Sequence, residues 1–326
     1  MIKVDTIQSR QLTGNLLGNE TQRDLVVYLP PSYSEMGDRR YPVAYLLHGY
    51  SNRALYWPYG PALAFGALHP PIGEVIEEAV RDFHAEEMIV VMPDGWSRWG
   101  CSQWVDSPVT GNFESYVIQE VVAHVDKNYR TLPQAQSRGV FGISSGGFGA
   151  WHLGSRNPDV FAAVSLLSAD SYFEITHKPF FYQYYDRIFP NAPAGPIEGD
   201  IVSWMCYGLS QAYTPNPSKP PYYADFAVEY PSGQLNEEAW AKWIALDPVV
   251  SWEPRLANLR KLSGLLLDAG RNDEFDLHYG HRLLSKNLKG AGIKHDFEEH
   301  AGTHTSLMFE RIKFSLGWFS QILQFS

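Results

Sequence analysis

A serine placed between glycines is the residue of this sequence best suited to chemistry. Residues 142–146 read Gly-Ile-Ser-Ser-Gly, a G-x-S-x-G pattern between an apolar run and a helical segment. A strand that reverses sharply into a helix raises the hydroxyl of Ser144, and glycines two positions before and after it keep side chains out of the turn. The helix N-terminus behind it stabilises developing negative charge. The pattern predicts acyl transfer, with Ser144 as nucleophile and the backbone N–H of Ser145 as an oxyanion donor.

The elements that must position Ser144 alternate between strands and helices. Val43–Leu47, Met88–Met92 and Gly139–Ile143 are short, continuous apolar runs, as expected of parallel strands covered on both faces. Apolar residues three or four positions apart predict a helix over Glu114–Tyr129. Further strands are predicted at 25–29, 162–167, 264–268 and 296–299, and further helices at 76–83, 278–289 and 306–323. The alternation predicts an α/β fold, a doubly wound, mostly parallel sheet with helices on both faces.

The composition excludes several classes of protein. The 326 residues are 44% hydrophobic and 19% charged, with a formal net charge of −10, which is typical of a globular protein with a large core. Lys and Arg form no cluster, so no nucleic-acid partner is expected. No apolar run approaches the roughly 20 residues that span a bilayer, so no membrane partner is expected either.

Two cysteines and the N-terminal residues bear on the compartment. Cys101 and Cys206 are too few for a disulfide framework, and two free thiols are the simpler interpretation. Residues 1–10 lack the apolar core of a signal peptide. The expected location is therefore either the cytoplasm or, for a mature form, outside the cell. The oligomeric state is not predicted.

One segment departs from the alternation of strands and helices. Residues 171–252 contain 18 aromatic residues in 82 positions, whereas the other 244 positions contain 28. A long, proline-containing connection inside a compact domain is usually a functional insertion. We expect residues 1–326 to form a single catalytic domain in which 171–252 is a lid or a wall for the substrate. The alternative is that its aromatic residues only form a small core of their own.

The sequence around Ser144 resembles a known group of enzymes. Residues 139–169, GVFGISSGGFGAWHLGSRNPDVFAAVSLLSA, resemble the esterase branch of the α/β-hydrolases, which includes feruloyl and acetylxylan esterases, enterochelin-esterase-like proteins, S-formylglutathione hydrolases and mycolyltransferases. Residues 27–33 (VYLPPSY), 41–49 (YPVAYLLHG) and 106–116 (DSPVTGNFESY) support the resemblance. It implies an α/β-hydrolase fold and catalytic residues in the chain order Ser, Asp or Glu, His.

The resemblance also implies an oxyanion hole and a base. The second oxyanion donor would be the backbone N–H of Tyr50, in the loop after the strand Val43–Leu47, and His48 would brace that loop. Candidates for the base are the late histidines His295, His300 and His304. Only His304 lies in a Gly-Thr-His-Thr turn between a strand and a helix, where the resembling esterases carry their base. The Ala-Gly break at 301–302 argues against a helical His-x-x-x-His metal site.

The acid is expected in the loop after residues 264–267. This loop carries Asp268, Asp273, Glu274 and Asp276. The pattern G-x-x-D-x-F of the resembling esterases is met by Gly270, Asp273 and Phe275. Asp273 would orient the imidazole and stabilise its protonated form. Asp276 and Asp268 are the alternatives.

The resemblance predicts a serine carboxylesterase that hydrolyses short-chain or aryl esters, of the feruloyl or acetyl type, through an acyl-enzyme. The substrate is expected to be a small-molecule or polysaccharide-linked ester, and no metal or cofactor is implied. Trp57, Trp96 and Trp104 are candidate substrate contacts, with core packing as the alternative.

Two other functions stay open. One is an S-formylglutathione hydrolase-like thioesterase, although the loop after His48-Gly49 lacks the Thr-Cys run of that group. The other is a non-catalytic hydrolase-like binding protein, although all three catalytic residue types are present.

Overall fold

The computed structural model describes residues 1–59, 70–189 and 196–326. The strands are β1 Ile2–Gln8, β2 Gln22–Tyr28, β3 Val43–Leu47, β4 Ile89–Pro93, β5 Asp106–Ser107, β6 Gly111–Asn112, β7 Arg138–Ile143, β8 Ala163–Leu167, β9 Gly264–Gly270 and β10 Asp296–His300. The helices are α1 Ser32–Glu35, α2 Tyr56–Tyr59, α3 Ile72–Asp82, α4 Phe113–Ser115, α5 Val122–Asn128, α6 Ser145–Arg156, α7 Phe173–Gln183, α8 Tyr185–Ile188, α9 Ile201–Tyr213, α10 Glu237–Leu246, α11 Pro248–Ser251, α12 Leu256–Leu259, α13 Leu277–Gly290 and α14 Met308–Ile322.

The main sheet has the strand order β1-β2-β4-β3-β7-β8-β9-β10. Strand β2 runs antiparallel to both β1 and β4, and the other neighbouring pairs are parallel. The carboxyl ends of β3, β7, β8, β9 and β10 therefore meet at one edge of the sheet, where open α/β sheets bind their ligands. The expected α/β fold with a mostly parallel sheet is confirmed.

Helices cover both faces of this sheet, and strand β3 shows why its sequence is continuously apolar. Val43, Tyr45 and Leu47 belong to a hydrophobic cluster that includes side chains of α5, α6 and α13. Ala44 and Leu46 belong to a second cluster on the other face, with side chains of α3 and α14. Since successive side chains of a strand point to opposite faces, a strand covered on both sides has no polar position.

Two elements differ from the sequence-based prediction. Strand β1 was not expected, because six of its seven residues are not fully buried and it has no apolar face; it pairs along its whole length with β2 through the main chain. The helix expected over 114–129 consists of α4, a π-helical segment Tyr116–Val121 and α5. Its buried stripe is nevertheless present, at Val117, Val121 and Val125. No helix in the described ranges has the length and apolar character of a membrane span.

Residues 171–252 lie in the connection between β8 and β9 and contain helices α7 to α11. Aromatic side chains of this segment, among them Phe173, Tyr213 and Trp243, form a third hydrophobic cluster. Phe148 of helix α6 belongs to the same cluster. The segment thus has an aromatic core of its own, and that core is anchored on the helix that follows Ser144.

Candidate active site

Ser144 lies in the turn between β7 and α6, with a backbone φ of 58° and ψ of −125°. A positive φ is unusual for a residue with a side chain and is often found at functional sites. The turn is closed by main-chain contacts. A Cβ atom at Gly142 would lie 2.5 Å from the carbonyl oxygen of Gly146, and one at Gly146 would lie 2.2 Å from the carbonyl oxygen of Leu47. The two glycines of the motif are therefore required by close approach of the backbone.

The two segments that carry the predicted oxyanion donors flank Ser144. A Cβ atom at Gly49 would lie 3.4 Å from the Cβ atom of Ser144, so the loop after β3 passes beside Ser144. Tyr50 follows in this loop, and its buried side chain is anchored by a hydrogen bond from its hydroxyl to the carbonyl of Trp99. Ser145 is the first residue of α6, so its N–H is one of the four at a helix start that lack a carbonyl partner within the helix.

His48 holds the loop that carries Tyr50. Its Nε2 accepts a hydrogen bond from the N–H of Gly95 at 2.9 Å. The ring proton must therefore be on Nδ1, which donates to the carbonyl of Gly49 at 2.9 Å. The ring is fully buried. Both nitrogens of His48 are used for structure, as expected for a residue that braces the loop.

His304 and Asp273 form a buried pair. Nδ1 of His304 donates to Oδ2 of Asp273 at 2.9 Å, and both residues are buried. Oδ1 of Asp273 accepts a hydrogen bond from the N–H of Phe275 at 2.9 Å, and Glu274 accepts one from the N–H of His304 at 2.9 Å. His304 lies in the turn between β10 and α14 and lines the same pocket as Ser144. The structure thus brings Ser144, His304 and Asp273 together at the carboxyl edge of the sheet.

The charges of this pair favour an ionised acid beside a basic imidazole. Burial opposes protonation of His304, but the hydrogen bond and charge of Asp273, with the charges of Asp170 and Glu274, outweigh burial and raise the pKa of His304. Burial also opposes ionisation of Asp273, yet the hydrogen bond and charge of His304, together with the hydrogen bond from the N–H of Phe275, outweigh burial and lower the pKa of Asp273. An imidazole held in this way accepts a proton readily, which is what a general base needs.

The other candidate bases and acids are occupied elsewhere. His295 contacts Ser285 at 2.8 Å, and Nδ1 of His300 accepts a hydrogen bond from the N–H of Gly302. Asp268 forms an ion pair with Arg311. Asp276 is exposed and precedes helix α13 as its N-cap residue.

Trp57, Trp96 and Trp104, the candidate substrate contacts, lie outside the lining of the pocket that contains Ser144 and His304. Trp57 packs in the hydrophobic cluster of α3 and α14. The guanidinium of Arg53 stacks on the ring of Trp96 at 4.3 Å. Trp104 is 0% exposed and lies edge-on to His48 at 5.0 Å, so it packs against the loop that carries Tyr50. The aromatic content of these segments was visible in the sequence, but the direction of each ring was not.

Asp170 is a pocket residue that the sequence-based prediction missed. Its Oδ1 accepts a hydrogen bond from the hydroxyl of Ser144 at 3.4 Å, and its Oδ2 accepts one from the hydroxyl of Ser145 at 3.0 Å. Burial raises the pKa of Asp170 to about 6. In this structure the Ser144 hydroxyl is therefore directed at Asp170 and not at His304. The available signal was its place at the carboxyl end of β8, the strand next to β7.

The segment 171–252 supplies a large part of the pocket wall. Side chains from α7 and α9 line the pocket that contains Ser144: Thr176, His177, Phe180, Phe181, Met205 and Leu209. Cys206 also lines it, and both Cys206 and Cys101 are buried, free thiols. Phe275 and Met308 add further apolar surface next to His304. The pocket is thus an aromatic and aliphatic cleft with a few polar groups, the usual character of a site for a small organic ligand.

Comparison with solved structures relates this fold to esterases. A ferulic acid esterase matches with a TM-score of 0.65 and 21% identity, over 99% of each chain. An S-formylglutathione hydrolase of Staphylococcus aureus matches with a TM-score of 0.58 and 17% identity, over 98% of each chain. At these identities the likeness shows a shared fold.

Two curated relatives match shorter stretches. An endo-1,4-beta-xylanase/feruloyl esterase of Xylanibacter ruminicola is 28% identical over 149 residues, which are 45% of this chain and 19% of that protein. An esterase of Mycobacterium tuberculosis is 31% identical over 145 residues, which are 43% of this chain and 27% of that protein. The chain thus covers only 19% to 27% of the length of these relatives.

A family model described as "Putative esterase" matches residues 18–311. This range includes β2 to β10, the turn of Ser144, and both Asp273 and His304. The chain therefore belongs to the Putative esterase family.

Proposed function

We propose that this protein is a serine carboxylesterase in which Ser144, His304 and Asp273 form the catalytic triad. The observation that supports the proposal most directly is that the strained serine at the start of α6 and the His304–Asp273 pair share one pocket. A plain glycine-rich turn would need neither a positive φ at Ser144 nor a carboxylate-bound imidazole beside it.

The reaction would proceed in two steps. The Ser144 hydroxyl turns from Asp170 towards Nε2 of His304, which takes its proton as Oγ attacks the ester carbonyl carbon. The N–H groups of Tyr50 and Ser145 stabilise the resulting oxyanion, and each such donor is worth roughly 3–4 kcal/mol. Protonated His304 then gives its proton to the leaving alcohol. In the second step His304 activates water, which releases the acid and restores Ser144.

The substrate class proposed is aryl and short-chain acyl esters. The apolar part of the pocket wall consists largely of phenylalanine, isoleucine, leucine and methionine side chains, which suit a flat or small apolar acyl group. The ferulic acid esterases among the similar structures support the aryl choice by analogy of fold.

The test is labelling and turnover of the Ser144→Ala variant. We expect a fluorophosphonate probe to label the wild-type protein and not Ser144→Ala. We expect Ser144→Ala to lose at least about 10⁴-fold in kcat on p-nitrophenyl acetate, with an unchanged circular dichroism spectrum. Ser145→Ala is the matched comparison, because it removes the neighbouring hydroxyl and keeps its N–H; it should still be labelled. Wild-type turnover by Ser144→Ala would refute the proposal, and absence of labelling in the wild type would favour a binding protein.

A further inference from the structure

His177 on helix α7 places an imidazole in the apolar wall of the pocket. His177 and its neighbour Thr176 line the pocket that contains Ser144. The ring packs against Phe173, with 4.4 Å between ring centroids, and meets the edge of Trp243 at 6.0 Å. These contacts fix the plane of the His177 ring. The proposed mechanism gives His177 no role.

The hydrogen bonds of Thr176 determine which nitrogen of His177 carries the proton. The hydroxyl of Thr176 has one hydrogen, which it donates to the carbonyls of Ser171 at 3.0 Å and Tyr172 at 3.2 Å. Nδ1 of His177 lies 2.9 Å from the same oxygen. Since that hydrogen is already used, Nδ1 must be the donor in this contact. The proton of the neutral ring is therefore on Nδ1, and Nε2 carries a lone pair.

The ring stays neutral at ordinary pH, because burial lowers the pKa of His177 to about 3. Within the described part of the chain, no group donates a hydrogen bond to Nε2, while Nδ1 is held by Thr176. The edge that carries Nε2 is thus the polar part of the side chain left to meet the pocket. A hydrogen-bond acceptor in an apolar wall is unfavourable unless the ligand brings a donor.

We propose that Nε2 of His177 accepts a hydrogen bond from a hydroxyl group on the aromatic ring of the substrate, so that hydroxyaryl esters are preferred. The inference rests on the proposed esterase function and specifies its substrate. Phe180, Phe181 and Phe275 line the same pocket and suit a flat ring. Since Nε2 has no proton, a methoxy group in place of the hydroxyl would meet it with a second lone pair. A hydroxyl should therefore be accepted and a methoxy group at the same position rejected.

The experiment compares the methyl esters of cinnamate, 3-hydroxycinnamate, 4-hydroxycinnamate and the matching methoxycinnamates. We expect wild-type kcat/KM for at least one hydroxycinnamate to exceed that for both cinnamate and its methoxy analogue by about 10-fold or more, since a site built around a hydroxyl rejects analogues that lack it. In His177→Phe, which keeps an aromatic ring but removes the acceptor, the ratio of hydroxycinnamate to cinnamate should fall to about one. The matched control is Tyr182→Phe, which removes an exposed hydroxyl from the same helix and should keep the wild-type ratio.

A second variant guards against misfolding of His177→Phe. Thr176→Val removes the acceptor that keeps the proton on Nδ1, so the proton can move to Nε2, and the discrimination against methoxy should weaken. An unchanged ratio in both His177→Phe and Thr176→Val would overturn the inference.

p-Nitrophenyl acetate separates this inference from the proposed function. Turnover of p-nitrophenyl acetate that depends on Ser144, combined with no wild-type preference for a hydroxyl, would refute the role of His177 and leave the esterase proposal intact. If the wild-type protein hydrolyses neither p-nitrophenyl acetate nor the methyl cinnamates, the esterase proposal is refuted, and the role of His177 with it.

Discussion

The edge of the sheet that carries Ser144 and the segment 171–252 that faces it are built by different means. At the sheet edge glycine backbones lie against other main-chain atoms, as where Gly146 meets the carbonyl of Leu47. In the segment 171–252 the approaches are between aromatic side chains, such as Tyr213 and Trp243, whose ring centroids are 4.9 Å apart. Backbone contacts leave few alternatives, whereas packed side chains can be exchanged one at a time.

The difference suggests a division of work between the two regions. On the proposed mechanism, main-chain geometry would hold the groups that every ester needs, and exchangeable side chains would form the wall that different esters touch differently. Substitutions at the sheet edge should therefore slow all esters alike. Substitutions in the segment should change the ratio between esters. Each of the following predictions tests one side of this comparison.

The largest expected effect is at the sheet edge, in Asp273→Asn. An amide can donate a hydrogen to Nδ1 of His304, which favours the wrong tautomer of the imidazole, and kcat should fall by about 10⁴-fold. The loss should be the same for p-nitrophenyl acetate and for methyl hydroxycinnamates. Asp276→Asn is the control, since Asp276 is exposed and asparagine tolerates its positive φ. A fall in kcat that is confined to aryl esters would contradict the separation of roles between the sheet edge and the segment 171–252.

The next effect is in the aromatic cluster, in Trp243→Ala. Trp243 is fully buried, and its removal should lower the free energy of unfolding by about 3–5 kcal/mol, measured by urea denaturation. Because Trp243 packs on His177, the preference among aryl esters should change more than the rate on p-nitrophenyl acetate. Trp104→Ala is the comparison, as Trp104 is equally buried but supports the loop of Tyr50; it should slow all esters. The same substrate profile in both variants would show that the two regions are not separate.

The smallest effect concerns pH, in Asp170→Asn. His304 acts as a base only when neutral, so activity is lost as pH falls through the pKa of His304. The negative charge of Asp170 helps to raise that pKa. Removing the charge should lower the pKa of His304 and move the acid limb of the kcat/KM profile to lower pH, by about one unit or less. The relative activity near pH 6 would then increase. A limb that stays in place, or moves to higher pH, would show that Asp170 does not act on the imidazole through its charge.

How far the sequence could predict the site depended on how local each signal was. Ser144 was predictable because five consecutive residues carry its whole motif. His304 and Asp273 are distant in sequence from Ser144 and required the chain order of a resembling family. Asp170 joins the site only through the pairing of β7 with β8, and His177 only through the packing of an irregular segment. No residue spacing encodes such neighbours.

The same limit applies to the fold. Strands covered on both faces, such as β3 and β4, were predicted within one residue because they are continuously apolar. Strand β1 was missed because it is held by main-chain pairing at an exposed edge, where side-chain polarity has no period. Trp104 was assigned to the substrate because a sequence shows that a ring is present and not which way it points.

Both ring nitrogens of His48 form hydrogen bonds to the main chain, at Gly49 and Gly95. These bonds imply that the loop before Tyr50 takes its shape when the chain folds. Burial lowers the pKa of His48, so the ring remains neutral and its hydrogen bonds to Gly49 and Gly95 persist across a wide acidity range. Dipoles near the reacting carbonyl are then oriented before any ligand arrives, and little reorganisation is left for the moment of bond breaking.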